Sequence, residues 1–220
     1  MTTASLLVEA YRSMRRGALL LVIAWLLLGA GLLFLLMGLF AAVGAVTVVE
    51  PFSGPGAGFN RPLVEPTAVL VAPVVVLLVG AVTALIGLWA YFVPGVERLA
   101  EAEPEFSTPA DLIRAGLFYG LIVLVVGVLL RIAPFIGVII SLIGFVLLLV
   151  GYAGLVMLCF KLNDFEYNTL YLVAGILFIV AAFIPLLGFV AWILLYIALG
   201  DSIEEAKRAS QMQVQSPSTA

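Results

Sequence analysis

The sequence has no histidine, a single cysteine and little charge: only 10% of its 220 residues are Asp, Glu, Lys or Arg. Without histidine it lacks the commonest general base, the usual haem ligand and the usual zinc ligand. Cys159 lies in an apolar run with no second cysteine to pair with, so no internal disulfide staples the fold. It reads as a small buried hydrophobe, and the redox compartment stays open. Lys and Arg never form a dense stripe and the net charge is −3, which leaves nucleic-acid binding without an electrostatic footprint. No phosphate loop, dinucleotide fingerprint or metal-ligand spacing occurs. No catalytic residue, cofactor or metal site is expected.

What the sequence has instead is apolar length. Sixty-five per cent of the residues are hydrophobic and the mean hydropathy is +1.28. A soluble domain carries charge at roughly a quarter of its positions. The few charges here are clustered, with long apolar stretches between them, which is the pattern of membrane spans. The reading is an all-α, polytopic transmembrane bundle of six spans in the cell membrane.

Residues 1–16 are polar, with apolar Leu6, Leu7, Ala10, Tyr11 and Met14 at helical spacing. This predicts a short amphipathic helix lying at the interface, ahead of a transmembrane domain over 17–208. A signal peptide is the competing reading, but the run from Gly17 to Val49 far exceeds an h-region of about 7–15 residues. The predicted spans are 17–49, 67–93, 117–133, 134–160, 168–184 and 185–200. Between the first two lies a Pro/Gly-rich loop, Glu50 to Pro66, and the second is expected to stop at Pro94-Gly95. The charged segment 97–114 follows, with Thr108 expected to cap a helix and Pro109 in its first turn. Its carboxylates outnumber its arginines, which argues against anionic lipid there and favours a solvated helix over a docking surface. Residues 209–220 read as a disordered tail.

From residue 117 the pattern repeats. Pro134-Phe135-Ile136-Gly137 and Pro185-Leu186-Leu187-Gly188 each divide an apolar run, 51 residues apart, and predict two helical hairpins turning at Pro134, Gly137, Pro185 and Gly188. Proline starts a new helix well and disfavours helix in the residue before it. One helix over 117–160 would be about 65 Å long, twice the apolar thickness, so a kink does not explain Pro134. The argument is weaker at Pro185, where 169–200 as one helix would measure about 48 Å. The turn of the second hairpin is wholly apolar, which suits a position buried against protein, and this hairpin either crosses or only dips in.

Lys and Arg accumulate on the cytoplasmic side. With the N-terminus inside, the inner segments hold Arg12, Arg15, Arg16, Arg98, Arg114, Lys161, Lys207 and Arg208, against only Arg61 and Arg131 outside. Both termini are therefore expected in the cytoplasm.

Polar groups inside spans are usually functional, and here they are sparse. Arg131 is close enough to a span end to snorkel. Thr83 and Ser141 are each expected to bond the carbonyl one turn back. Asp164 and Glu166 look like ordinary loop carboxylates. The tryptophans (Trp25, Trp89, Trp192) and Tyr91, Tyr152, Tyr171 and Tyr196 fit interfacial belts.

Glycine placement is the informative pattern. Gly31 and Gly38, Gly80 and Gly87, Gly120 and Gly127, and Gly137, Gly144 and Gly151 are each spaced by seven, nearly two helical turns. Each set makes a bare strip on its helix, and bare strips let membrane helices approach closely. They predict a compact bundle and a capacity for self-association.

With these residues in view, the chain resembles an archaeal family of polytopic membrane proteins of unknown function. The similarity lies in Arg15-Arg16-Gly17-Ala18, in the Pro-x-x-Gly hairpins of 117–206 and in the break Leu162-Asn163-Asp164. The resemblance implies no catalytic residue. The expected function is non-enzymatic: association with itself or with another membrane subunit, in contact with membrane lipid. The alternative is a small transporter or channel component for an apolar or lipid-like solute, with a mid-membrane cavity lined by Ser141 or the Pro185 turn.

Overall fold

The computed structural model describes residues 3–47, 66–130 and 134–215. Every regular element among them is a helix. In chain order these are α1 (Thr3–Thr47), α2 (Pro66–Ile86), a π-helical turn (Gly87–Phe92), α3 (Val93–Ala102) and a 3-10 turn (Pro104–Phe106). There follow α4 (Ser107–Ile113), a second π turn (Arg114–Tyr119), α5 (Gly120–Leu129), α6 (Pro134–Glu166), α7 (Thr169–Ala181) and α8 (Pro185–Gln215). Five stretches are long and apolar enough to cross a membrane: Ser5–Phe40, Val71–Ala102, Pro104–Leu129, Phe135–Glu166 and Pro185–Arg208. The sixth expected span is present only as α7, whose 13 residues reach about 20 Å, short of an apolar layer of about 30 Å.

Several boundaries differ from the sequence reading, each for a local reason. Residues 3–16 are not a separate interfacial helix, because no breaker divides them from the span and α1 runs through. Their apolar face is covered by protein: Ala10, Tyr11 and Met14 are buried, and Met14 and Ala10 lie against the bare backbone of Gly95. The second span does not stop at Pro94-Gly95. The π turn ends at Phe92 and α3 starts at Val93, so Pro94 falls in a first turn, where its missing N–H costs little. Thr108 is not a cap: α4 begins at Ser107, and Phe106 holds the cap position without a side-chain bond. The polar break 161–168 shrinks to a tight turn. Asn168 caps α7 by accepting from the Leu170 amide at 3.0 Å, and Tyr167 adopts a left-handed φ of 53°. At the other end, α8 persists to Gln215, past the start of the tail expected to be disordered from 209.

Both prolines of the repeat begin helices, α6 at Pro134 and α8 at Pro185. Gly137 and Gly188 belong to those helices rather than to the turns, and both are buried. The loop 50–65 and Arg131 lie outside the described residues.

The described chain forms two units. The smaller, Ile23–Ala84, is a pair of antiparallel segments of α1 and α2, in which Gly31 faces Leu77 and Gly80 faces Leu27 and Leu28. Around that contact Leu33, Phe34, Met37, Val74 and Leu78 are exposed. The larger unit, Met1–Val22 with Leu85–Ala220, holds an aromatic core. Trp192 meets Phe92 and Phe178 edge to face at centroid distances of 5.2 and 5.1 Å, and Phe106 meets Phe165 at 5.6 Å. Such pairs add about 0.5–1.5 kcal/mol each beyond area burial. Trp192 and Tyr171, expected in interfacial belts, are thus interior residues.

Candidate functional site

The glycines of the heptad-spaced strips are the natural starting point. In the α5–α6 hairpin they bring two backbones into contact. A Cβ on Gly144 would come within 2.4 Å of the Leu124 nitrogen, one on Gly151 within 2.5 Å of the Leu117 nitrogen, and one on Gly120 within 2.8 Å of the Leu148 nitrogen. Gly127 faces Ser141, and Gly137 faces the carbonyl of Gly127. Gly87 lies against Leu20 and Gly17, and Gly38 is buried in α1. Among the described residues, the strips whose contacts are resolved look at neighbouring helices of the same chain.

Sequence reasoning missed the other half of these contacts. Gly116 is the tightest, with a hypothetical Cβ only 2.0 Å from the Gly151 nitrogen, and Gly17, Gly95 and Gly154 make similar approaches. These residues lie at span edges or in the charged segment, where a strip was not sought. Gly116-x3-Gly120, four apart and next to Gly127, was the available signal.

Of the intramembrane hydroxyls, Thr83 donates to the Val79 carbonyl at 2.8 Å. Ser141 does not make the expected bond: its Oγ is turned toward Gly127 and is buried without a partner among the described residues. It is part of a helix crossing. The Pro185 turn is likewise not buried. Phe183, Ile184 and Leu186, at the turn between α7 and α8, are exposed.

At the opposite end of the α7–α8 hairpin the helices share a polar layer. The Tyr11 hydroxyl donates to Glu166, so this carboxylate is no ordinary loop group. The Tyr171 and Ser202 hydroxyls lie 2.8 Å apart, and Ser202 also reaches the Ala198 carbonyl. Arg98 pairs with Glu9 at 3.0 Å, and Arg114 with Glu97 at 3.4 Å. Asp164 neighbours only Asn163 in this layer and does not converge on Glu166 as an acid–base pair would.

The two π turns meet at an aromatic cleft of about 230 Å³, lined by Trp89, Val93, Pro94, Phe118 and Tyr119 with the Glu97–Arg114 pair at its edge. Trp89 and Phe118 lie 5.2 Å apart, and the Trp89 indole N–H is buried without an acceptor among the described residues. Single π turns inside helices recur at functional places. Glu97, the carboxylate of its lining, is paired with Arg114 at 3.4 Å.

With this geometry in view, residues 8–220 match the family described as "Protein of unknown function (DUF973)". The chain belongs to this family. Membership spans all eight helices and both units, from Val8 of α1 to the C-terminus, so the α5–α6 and α7–α8 hairpins are parts of one family domain. No curated protein and no solved structure matches the chain.

Proposed function

We propose that this protein is a non-enzymatic, multi-pass component of the cell membrane that works by association, with itself or as a subunit of a larger membrane complex. Both termini face the cytoplasm, where eight of its ten Lys and Arg residues then lie. The observation that carries the reading is the bare outer part of the α5–α6 hairpin. Gly175 of α7 lies against Cys159 and Phe160, which sets α7 antiparallel to the C-terminal part of α6. By that register α6 runs on past the end of α7 for roughly 19 residues, about 29 Å. Along that length Phe135, Ile139, Leu142 and Phe145 are exposed, and among the described residues α5 and the π turn before it pack against the opposite side.

A two-helix hairpin held by glycine contacts on one side, and apolar all round, is the shape of a component completed by another chain. Cross-linking tests the proposal: with Leu142→Cys in native membranes, a short bis-maleimide gives a discrete adduct, either a dimer or a product with one partner. Monomer alone, across several positions on this face, would count against it.

A further inference from the structure

The two π turns shape the aromatic cleft. Each brings residues four and five positions apart into its lining, Trp89 with Val93 and Pro94 on one wall, Arg114 with Phe118 and Tyr119 on the other. The polar end of the cleft is the Glu97–Arg114 pair, and both residues also line a neighbouring pocket with Glu101 and Asp111. The apolar end is open, with Phe118 39% and Tyr119 51% exposed. Beyond them Ile122, Val125 and Leu129 follow at helical spacing on α5, all exposed. They lie on the side of α5 away from Gly120 and Gly127, which meet α6. From Phe118 to Leu129 this apolar track is about 17 Å long.

The Trp89 indole N–H is buried without an acceptor among the described residues. Trp89 lies within the apolar stretch Val71–Ala102, and in an apolar layer no water stands in for a missing partner. The carboxylate of the lining, Glu97, is engaged with Arg114. Trp89 is itself partly exposed, so a small turn of its ring presents the N–H to an oxygen lodged in the cleft.

We propose that this cleft binds one membrane lipid with an uncharged or zwitterionic headgroup. A glycerol-linkage oxygen, ester or ether, accepts from Trp89, and one chain lies along the α5 track. Such an oxygen is an acceptor without charge, placed where a headgroup gives way to apolar chains. The size favours part of a long amphiphile: about 230 Å³ is below the roughly 300–1,000 Å³ of sites that enclose a whole small molecule. The rim sets the headgroup, because an anionic one would meet Glu97, Glu101 and Asp111 with only Arg114 to offset them.

Native mass spectrometry of the full chain in detergent, titrated with dioleoyl-phosphatidylcholine, tests the site. Trp89→Phe keeps an aromatic ring and removes the donor. It is expected to weaken lipid retention about fivefold, as for the loss of one hydrogen bond. Trp25→Phe, the same change on α1 outside the cleft, is expected to retain lipid like wild type. Ile122→Gln alters only exposed surface, interrupts the track and is also expected to weaken retention, which separates lost binding from a disturbed core. Tyr119→p-benzoylphenylalanine identifies the occupant in native membranes: an adduct of lipid mass supports the site, and a polypeptide adduct overturns it. Equal retention by wild type, Trp89→Phe and Ile122→Gln overturns it as well.

Discussion

A buried hydroxyl with no partner is an unusual thing to find at a helix crossing. Thr83 and Ser141 look equivalent in the sequence, and each has a carbonyl one turn back. Only Thr83 uses it, because the Gly127 backbone claims the space on the inner side of Ser141 and turns its Oγ toward the crossing. Ser141→Ala should therefore be neutral or stabilising by up to about 1 kcal/mol, since it removes an unmet polar group. Thermal unfolding in detergent reads this directly, and a clear loss of stability would show that Oγ has a partner. Gly116→Val is expected to do the opposite. Its Cβ would meet backbone atoms of Gly151, which cannot rotate away, so a loss of about 3 kcal/mol is expected. The protein should still insert, because the change adds apolar surface. The glycine strips were legible in the sequence because spacing by seven survives any error in span ends. Which helix each strip faces was not, since spacing says nothing about partners.

Helix positions were readable where prolines and charges mark them, as at Pro134 and Pro185. They were not readable where hydrogen bonding shifts register inside an apolar stretch. The π turns at Gly87–Phe92 and Arg114–Tyr119 have no breaker residue to announce them, and they carry the second span through Pro94 and the third back into the charged segment. The same limit applies to α7. Its apolar run looks nearly long enough to cross, but Asn168 caps it late and Ala182 ends it early. With Asn168 at one interface, the tip at Phe183 stops about 10 Å inside the far edge of the apolar layer. Thiol labelling follows from this. A cysteine replacing Tyr167, which is 90% exposed at the polar end, is expected to react with a membrane-impermeant maleimide in opened membranes, whereas one replacing Phe183, 85% exposed at the tip, is not. Native Cys159 is fully buried and gives little background. Rapid labelling at position 183 would mean that the hairpin crosses completely.

At the scale of the whole molecule, composition pointed to a helical membrane protein, and the fold agrees in having five helices long and apolar enough to cross a membrane. The number of spans was nearly legible, and it blurs only at α7. The distribution of packing was not legible. Glycines expected to close a compact bundle and to allow self-association face helices of this chain, while the outer part of α5–α6 carries exposed apolar side chains. The association reading therefore rests on that uncovered length and no longer on the glycines. The most direct test is the mass and composition of the particle extracted from native membranes in mild detergent. A stoichiometric complex, homo-oligomeric or with a defined partner, is expected; a uniform 23.4 kDa monomer after correction for bound detergent and lipid would contradict it.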